Sequence, residues 1–198
     1  RSNPLRSRGG DRARLFSQSE GPILLAGPQG SEIRLIAQCI HNNSANCTGP
    51  FVQLNCAAIE PDEQMTTLFG TGYKNKDGEV DLGVFGMAEN GTLMLQEIDK
   101  LSYTAQSNIY QAVRYHRIIQ RNLERPIHVN IRLIATTEAD LWAMARGGGF
   151  RTDLYYLLAG LRIDLPPLKK RPEDLEDILQ KTFRQMCENF HRYHVITN

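Results

Sequence analysis

Short apolar runs alternate with amphipathic stretches along this chain, and the two patterns predict different elements. The stretches 23–26 and 92–96 have uniformly apolar centres, which is typical of strands buried on both faces of a parallel sheet. Residues 51–56 and 162–165 predict two further strands, the second of which ends before a proline pair. In the stretch that leads to Ala135, apolar and polar positions alternate, which predicts a strand that leaves an exposed hairpin and enters the core.

Helical periodicity separates these strands. The predicted buried face of the first helix consists of Leu35, Ile36, Cys39 and Ile40. In residues 101–113 apolar side chains recur every four positions, which predicts another amphipathic helix. Strands that alternate with helices indicate an α/β fold with a five-stranded parallel sheet sandwiched by helices. Ligands of such sheets bind at the carboxyl ends of the strands, so the loops after Ala26, Gln96 and Ala135 should share one edge.

Composition and charge narrow the function classes. The 198 residues, 41% of them hydrophobic, suit one domain, and the net charge of +1 does not predict that this segment itself binds nucleic acid. The four cysteines lack the spacing of a metal site, and we expect them to be reduced thiols in a cytoplasmic protein that binds no metal through them. No run approaches the ~20 apolar residues that a membrane span needs.

Arginines dominate the first fourteen residues, where Asp11 is the one acidic residue. One interpretation is a solvated helical segment that leads into the domain. The alternative is an anion-binding site in which Arg8, Arg12 and Arg14 contact a signalling nucleotide, because Arg8-Gly-Gly-Asp11 has the RxxD form of some cyclic-dinucleotide sites. The residues leave both interpretations open.

A glycine-containing turn joins the first predicted strand to the first predicted helix. Strand, glycine turn and helix open a phosphate-binding unit, in which backbone N–H groups and a lysine hold phosphate oxygens. Here the turn reads Gly27-Pro-Gln-Gly30 and continues into Ser31, Glu32 and Ile33. The glycines fit such a turn, but the lysine is missing and a carboxylate has entered, and both changes oppose a triphosphate.

Five strings of the chain, in order and at nearly the same spacing, resemble the central AAA+ domain of the bacterial sigma-54-dependent transcription activators. They lie at residues 49–59, 68–70, 91–98, 150–156 and 165–174. The resemblance implies an AAA+ α/β core over residues 1–167, followed over 168–198 by the beginning of a small helical lid. It also implies ATP binding at the carboxyl edge of the sheet, self-association, and contact with sigma-54 through a loop.

Position by position, the resemblance implies that the chemistry of the family has been lost. Ile33 stands at the P-loop lysine and Gln96 at the aspartate that positions the metal shell, so we do not expect ATP hydrolysis. Glu138 stands at a sensor asparagine, and Leu157 at one of two arginines that act on a neighbouring subunit. Residues 71–82 lack the aromatic–threonine tip of the sigma-contacting loop, so engagement of sigma-54 is not expected either.

The remaining positions give the candidate site residues. Weak contacts to ATP or ADP are predicted from Gly27, Gly30, Ser31, Arg34 and Thr137. Glu97, which would polarise the attacking water, and Arg151, the second arginine that acts on a neighbour, are predicted to be catalytic remnants. For Glu97 the alternative is a solvent-facing carboxylate, and for Arg151 it is an ion pair with Asp153.

The leading hypothesis is a non-hydrolysing domain of a bacterial transcription regulator that works through self-association, as a dimer or a ring. As the resemblance implies, its partners would be a second copy, the transcription machinery, and DNA through a helix-turn-helix domain outside this chain, in a response-regulator-like organisation. One alternative is a cyclic di-GMP sensor that uses the amino-terminal arginines and Arg34. The other is a slow ATPase that uses Glu97 and Arg151.

Overall fold

The computed structural model describes residues 21–28, 31–120 and 122–165, with the backbone alone for residues 31 and 32. The strands are β1 (Ile23–Ala26), β2 (Phe51–Asn55), β3 (Thr92–Gln96), β4 (Arg117–Ile118), β5 (Ile127–His128), β6 (Arg132–Thr137) and β7 (Arg162–Asp164). The helices are α1 (Ser31–Asn42), α2 (Gln64–Phe69), α3 (Gly83–Met87), α4 (Tyr103–Tyr115), α5 (Leu141–Arg146) and α6 (Thr152–Ala159). The predicted lid and the arginine-rich first fourteen residues lie outside the described residues.

The main sheet has five parallel strands, as predicted, and the structure gives their order as β2-β3-β6-β1-β7. Ala26 pairs with Thr137, and Asn55 pairs with Gln96, so the carboxyl ends of the strands lie at one edge. Two strands end one residue earlier than predicted, at Asn55 and at Asp164. After Asn55 a 3-10 turn begins, because its side chain accepts a hydrogen bond from the N–H of Ala57 at 2.9 Å.

Hydrophobic layers cover both faces of this sheet, because successive residues of a strand point to opposite sides. On one face, Ile23 and Leu25 of β1 belong to the cluster that includes the buried side chains of α1. On the other face, Leu24 belongs to the cluster that includes α4, α5 and α6. Helix α4 buries Ala105, Ile109, Ala112 and Val113, which confirms the predicted amphipathic helix. None of the helices in the described ranges is long and apolar enough to cross a membrane.

The predicted buried face of α1 is correct for Ile40, and Ile36 packs against the core, but Leu35 was placed on the wrong side of the helix. Leu35 is 49% exposed, whereas Ile33 is 2% exposed and Ala37 and Ile40 are fully buried. These buried positions follow the i, i+4, i+7 spacing of one helical stripe. Leu35 is exposed because it lies about 200° around the helix from Ile33.

Two hairpins lie next to each other at one side of the molecule. The stretch 70–83 joins α2 to α3 and closes through an antiparallel bridge between Lys74 and Val80. The other hairpin is formed by β4 and β5. The amide of Gln120, in the loop between β4 and β5, donates to the carbonyl oxygens of Phe69 and Gly70. The second hairpin therefore holds the base of the first.

Gly70 and Gly83 form the neck of the hairpin 70–83. Their φ angles are +74° and +57°, a region that glycine adopts without a steric penalty. A Cβ on either glycine would lie 2.5 Å from the backbone nitrogen of the other, so the two chain segments approach more closely than side chains allow. Asp81 closes the neck by accepting the N–H groups of Thr71 at 2.9 Å and Gly83 at 3.0 Å, and these hydrogen bonds lower the pKa of its carboxyl.

A buried polar cluster joins α1 to three strands at the amino edge of the sheet. His41 is 4% exposed, and its Nδ1 lies 2.8 Å from Oγ1 of Thr92 at the start of β3. Its ring contacts that of Phe51, at the start of β2, with 5.3 Å between the centroids. Burial lowers the pKa of His41, and the positive charge of Arg132 at the start of β6 lowers it further. The imidazole is therefore neutral near pH 7.

Candidate functional site

The carboxyl edge of the sheet brings together candidate residues from distant parts of the sequence. The N–H of Gly27, after β1, donates to the carbonyl oxygen of Thr137 at 2.9 Å. The N–H of Glu97, after β3, donates to Oγ1 of Thr136 at 3.3 Å. The parallel register of β1, β3 and β6 explains this arrangement, because it aligns their last residues.

The hydroxyl of Thr137 already has hydrogen-bond partners inside the protein. Thr137 is 1% exposed, donates to Oδ1 of Asp99 at 2.7 Å, and accepts the N–H of Ala139 at 3.0 Å. A contact from this hydroxyl to a nucleotide would have to replace one of these bonds. Thr137 is thus arranged to hold the loop after β6 against the turn after β3.

Sequence reasoning missed Asp99. Its side chain is 6% exposed and lies within 3.2 Å of Nζ of Lys100, in addition to the bond from Thr137. A signal was present in the sequence, because Asp99 comes two residues after the strand-end carboxylate Glu97, in a 3-10 turn that returns it to the same edge. The carboxylate thus pairs with Lys100, so this lysine is not an unpaired cation for a triphosphate.

Ile33 lies in the hydrophobic core beside the glycine turn. Its side chain is 2% exposed and belongs to the cluster that contains Ile23, Leu25 and Ile134. Full burial of an isoleucine side chain stabilises a fold by roughly 1.5–3 kcal/mol. The position therefore contributes to stability and offers no charge to a phosphate group.

Carboxylates set the electrostatic potential of this edge. Cys56, after β2, is fully buried, and burial followed by the negative charges of Asp99 and Glu97 raises the pKa of its thiol from 9.0 to about 12. Glu97 itself has a left-handed backbone, with φ 52° and ψ 53°, which costs a residue with a side chain roughly 1–2 kcal/mol. Gln96, which precedes it, supplies no charge for a hard dication.

Arg151 adopts the local ion pair that was the alternative to a catalytic role. Its Nε lies 3.0 Å from Oδ1 of Asp153 and its Nη2 lies 2.7 Å from Oδ2, which is a two-bond fork. The pair raises the pKa of Arg151 and lowers that of Asp153. The guanidinium also lies 5.2 Å from the ring centroid of Tyr103. Leu157 is half-buried against the core, at the position implied for the other arginine.

An open depression lies beside Gly27, between the ends of β1, β6 and β7. Its lining includes Ala26, Gly27, Glu138, Ala139, Asp140, Trp142, Tyr155, Arg162, Asp164 and Leu165. A Cβ at Gly27 would lie 2.6 Å from the carbonyl oxygen of Leu165, so β7 passes closely over this glycine. Arg162 donates from both Nε and Nη2 to Oδ1 of Asp164, at 2.8 and 2.7 Å. The arginine of the depression is thus paired with a carboxylate, and Glu138 and Asp140 are two further acidic residues of the lining.

Comparison with known proteins decides the family. A family model described as the Sigma-54 interaction domain matches residues 5–164. This chain belongs to that family. Among curated relatives of the sigma-54 interaction domain, the DNA-binding transcriptional activator HyfR of Escherichia coli is 33% identical over 180 residues, which are 90% of this chain and 27% of HyfR. The regulatory protein AtoC of Escherichia coli is 36% identical over 159 residues, 79% of this chain and 34% of AtoC.

Solved structures agree with this assignment. NtrX from Brucella abortus, crystallised in complex with ATP, superimposes with a TM-score of 0.77 at 26% identity, over 96% of this chain and 41% of NtrX. The P-loop NTPase domain of a sigma-54 activator from Escherichia coli, at 21% identity and a TM-score of 0.59, shares the fold over 85% of this chain and 99% of that domain. This sigma-54 interaction domain spans between about a quarter and a half of the length of the curated relatives that it matches.

Of the other predicted site residues of this sigma-54 interaction domain, some lie within the described residues and some lie outside them. Arg34 is exposed on α1, next to the buried Ile33. Ser31 begins α1, and its side chain lies outside the description, as does all of Gly30. The arginines at positions 8, 12 and 14, on which the cyclic-dinucleotide hypothesis rests, also lie outside the described residues.

Proposed function

We propose that this sigma-54 interaction domain has lost ATP hydrolysis and acts through self-association and contacts with the transcription machinery. The observation that carries the proposal is the buried Ile33, a core side chain at the position where the family resemblance implies a lysine that holds phosphate. Electrostatic groups aimed at a transferred phosphoryl group supply several kcal/mol of transition-state stabilisation, so the loss of such a lysine slows the reaction by orders of magnitude.

The rest of the carboxyl edge supports the same proposal. Gln96 stands where the magnesium-positioning aspartate is implied, and Asp99 forms a hydrogen bond with the buried Thr137. Arg151 and Arg162 are each paired with an aspartate. The residues present therefore do not fit a magnesium nucleotide, because the anionic groups outnumber the cations available to neutralise phosphate.

Self-association is the role that the retained fold can still perform. Trp142, Tyr155 and Tyr156 of α5 and α6 form a cluster of rings with centroids 5.2 to 6.0 Å apart. Trp142 is 37% and Tyr156 61% exposed. Exposed aromatic clusters are typical anchors of protein interfaces. We expect this cluster to contribute to contacts between copies, in a cytoplasmic regulator that reaches its promoter through a DNA-binding domain outside this chain.

Calorimetric titration of the chain with ATP, ADP and cyclic di-GMP, in the presence of magnesium, tests the proposal. We expect no binding of ATP or ADP in the micromolar range. The matched control is a variant that restores the implied residues, Glu32→Gly, Ile33→Lys, Gln96→Asp and Glu138→Asn, which should gain ATP affinity.

Micromolar ATP binding by the original chain would contradict the proposal. So would phosphate release that disappears in Glu97→Gln, since this result would establish the slow ATPase. Binding of the cyclic dinucleotide alone would favour the sensor hypothesis instead. Light scattering then measures self-association of the original chain, which we expect to be weaker in Trp142→Ala. If the original chain stays monomeric across the concentration range, the proposal of self-association is contradicted.

A further inference from the structure

A compact group of basic and aromatic side chains lies at the amino edge, where α4 ends and the β4–β5 hairpin begins. We call it the α4 knob: Arg114, Tyr115, His116, Arg117 and His128. All five residues are exposed. Residues 114–130 contain four arginines and two histidines but only one glutamate. The local charge is thus strongly positive in a chain whose net charge is +1.

The side chains of the α4 knob are ordered by contacts that leave their charge intact. The guanidinium carbon of Arg117 lies 5.1 Å from the ring centroid of Tyr115, and that of Arg114 lies 5.9 Å from it. The ring of Tyr110 supports Tyr115 edge-on at 6.1 Å. Cation–π contacts of this kind contribute roughly 0.5–1 kcal/mol at exposed sites. They fix two guanidinium groups around one ring and leave their N–H donors available.

The hairpin adds imidazoles to the same surface. Arg117 of β4 pairs across the antiparallel ladder with His128 of β5. The ring of His116 stacks on that of His128, with 6.2 Å between centroids and 26° between planes. His116 adopts a left-handed backbone, with φ 52°, at the end of α4, and this turn aligns the helix end with the hairpin. Two short elements thus present their basic residues together.

Carboxylates do not neutralise the arginines of the knob. Within the part of the chain that the structure describes, neither Arg114 nor Arg117 forms an ion pair. In contrast, Arg151 and Arg162 are each paired with an aspartate two residues away. Two guanidinium groups held in place without a counter-charge are suited to bind the oxygens of a phosphate, which match their planar fork of donors.

We propose that the α4 knob binds the phosphate backbone of duplex DNA without reading its sequence. Duplex DNA carries one negative charge per ~1.7 Å of its axis, and release of its counterions rewards arginines that are not already paired. Contacts from arginine to phosphate position a protein on DNA but carry no sequence information. The inference concerns the edge opposite the nucleotide site and does not depend on whether that site binds ATP. In a regulator held at DNA by another domain, the knob would add a second contact and raise the overall affinity.

Fluorescence anisotropy with a labelled duplex of about 20 base pairs, over salt concentrations from about 50 to 200 mM, tests this proposal on the 198-residue chain. We expect binding that weakens steeply with salt and differs little between unrelated duplexes. Arg114→Ala combined with Arg117→Ala should lower the affinity about tenfold at low salt and reduce the slope of log affinity against log salt by about two. Arg114→Lys combined with Arg117→Lys should retain most of the slope, because the charge is kept.

The matched control is Arg146→Ala. Arg146 is also exposed and lies 5.6 Å from the ring centroid of Trp142, but it belongs to α5 and not to the knob. We expect this variant to bind DNA within twofold of the original chain. Absence of binding by the original chain would overturn the proposal, and so would an unchanged salt slope in the double alanine variant. Competition by polyglutamate as effective as that by duplex DNA would assign the knob to an acidic protein instead. Calorimetry with nucleotide reports on the other edge, so the two proposals fail independently.

Discussion

At the carboxyl edge of the sheet, Arg151 and Arg162 each bind an aspartate two residues away, whereas at the amino edge Arg114 and Arg117 flank the ring of Tyr115. The first edge is the one at which parallel α/β sheets usually bind ligands, yet its two arginines are paired with aspartates. The second edge is not the usual ligand-binding edge of such sheets, yet neither of its two arginines forms an ion pair within the described residues. Whether an arginine is already paired with a carboxylate is thus a better indication of an anion-binding surface than the number of arginines there.

The comparison also shows that the net charge of the chain does not describe the charge of its individual surfaces. The net charge of +1 averages a basic knob with an acidic edge that includes Glu97, Asp99, Glu138 and Asp140. Electrostatic recognition depends on local potential, which falls off over a Debye length of about 8 Å at physiological salt. Two edges of opposite sign can therefore act separately on one small domain.

Cys56 gives the largest expected effect, because burial and then two nearby carboxylates suppress its thiolate form. A pKa of about 12 instead of 9.0 means that, at pH 8, the native thiolate fraction is about a thousandfold smaller than in the unfolded chain. We expect iodoacetamide to modify Cys56 at least about a thousandfold more slowly in the native protein than in denaturant, as measured by mass spectrometry of the alkylated peptide. Asp99→Asn should raise the native rate. A native rate within tenfold of the denatured one would contradict an acidic, buried environment.

The same pKa gives a pH dependence of stability. Because the folded pKa of Cys56 lies above the unfolded value, its contribution is complete below pH 9.0 and is lost as the pH rises towards 12. Cys56→Ser, which lacks this titration, is the control for the alkaline range.

Replacing the two arginines of the α4 knob by glutamates should change the local charge of the amino edge from positive to negative. Arg114→Glu combined with Arg117→Glu replaces two cations by two anions, so we expect DNA affinity to fall by about a hundredfold at low salt. Anisotropy measures the loss, and the alkylation rate of Cys56 should not change. A parallel change in that rate would mean that the two edges are not electrostatically separate.

The neck of the hairpin 70–83 allows a test of how much the close approach of Gly70 and Gly83 matters for stability. Gly83→Ala should lower the free energy of unfolding by about 2 kcal/mol, because its φ of +57° and its Cβ contact at 2.5 Å to the nitrogen of Gly70 both oppose a side chain. Gly78→Ala is the matched control. Its φ is +81°, but nothing lies within 4 Å, so the expected loss in a denaturant titration is about 1 kcal/mol. Equal losses in the two variants would show that the close approach costs nothing.

The smallest expected effect is that of His41 on the pH dependence of the free energy of unfolding. Its folded pKa lies below the ordinary 6.5, so the unfolded chain takes up a proton first as the pH falls below 6.5. The stability that His41 contributes is therefore complete above pH 6.5 and declines below it. Between pH 7.5 and 5.5 we expect the unfolding free energy of His41→Asn to fall less than that of the original chain. Parallel pH profiles would contradict burial of a neutral imidazole.

Much of the fold could be predicted from the sequence because parallel strands leave a strong local signal. The apolar centres of β1 and β3 identify strands buried on both faces, and the predicted order of elements places their carboxyl ends together. The phase of α1 could not be predicted in the same way. Several apolar residues occupy adjacent helical positions, and only packing against Ile23 and Ile134 decides that Ile33 is buried and Leu35 exposed.

The sequence predicted which candidate residues lie at the same edge of the sheet, but not which residues form hydrogen bonds with them. Gly27, Glu97 and Thr137 meet at one edge, as the strand ends require. The sequence did not indicate that the hydroxyl of Thr137 binds Asp99, since such a pair depends on the exact path of two turns. The α4 knob was missed for a related reason. Its members come from the end of a helix and from both strands of a hairpin, and no periodicity relates them.

The neck formed by Gly70 and Gly83 makes the hairpin 70–83 an interchangeable cassette. The close approach of Gly70 and Gly83 and the hydrogen bonds of the Asp81 carboxylate fix both ends of the insertion, so we expect that the residues between them can be replaced without disturbing the core. Because of this neck, substitutions in the hairpin can change which partners the domain contacts while the fold stays the same. It also gives the experimenter a graft point: a peptide tag or fluorophore inserted at Gly78, where the surroundings are open, would report on encounters at this side of the protein.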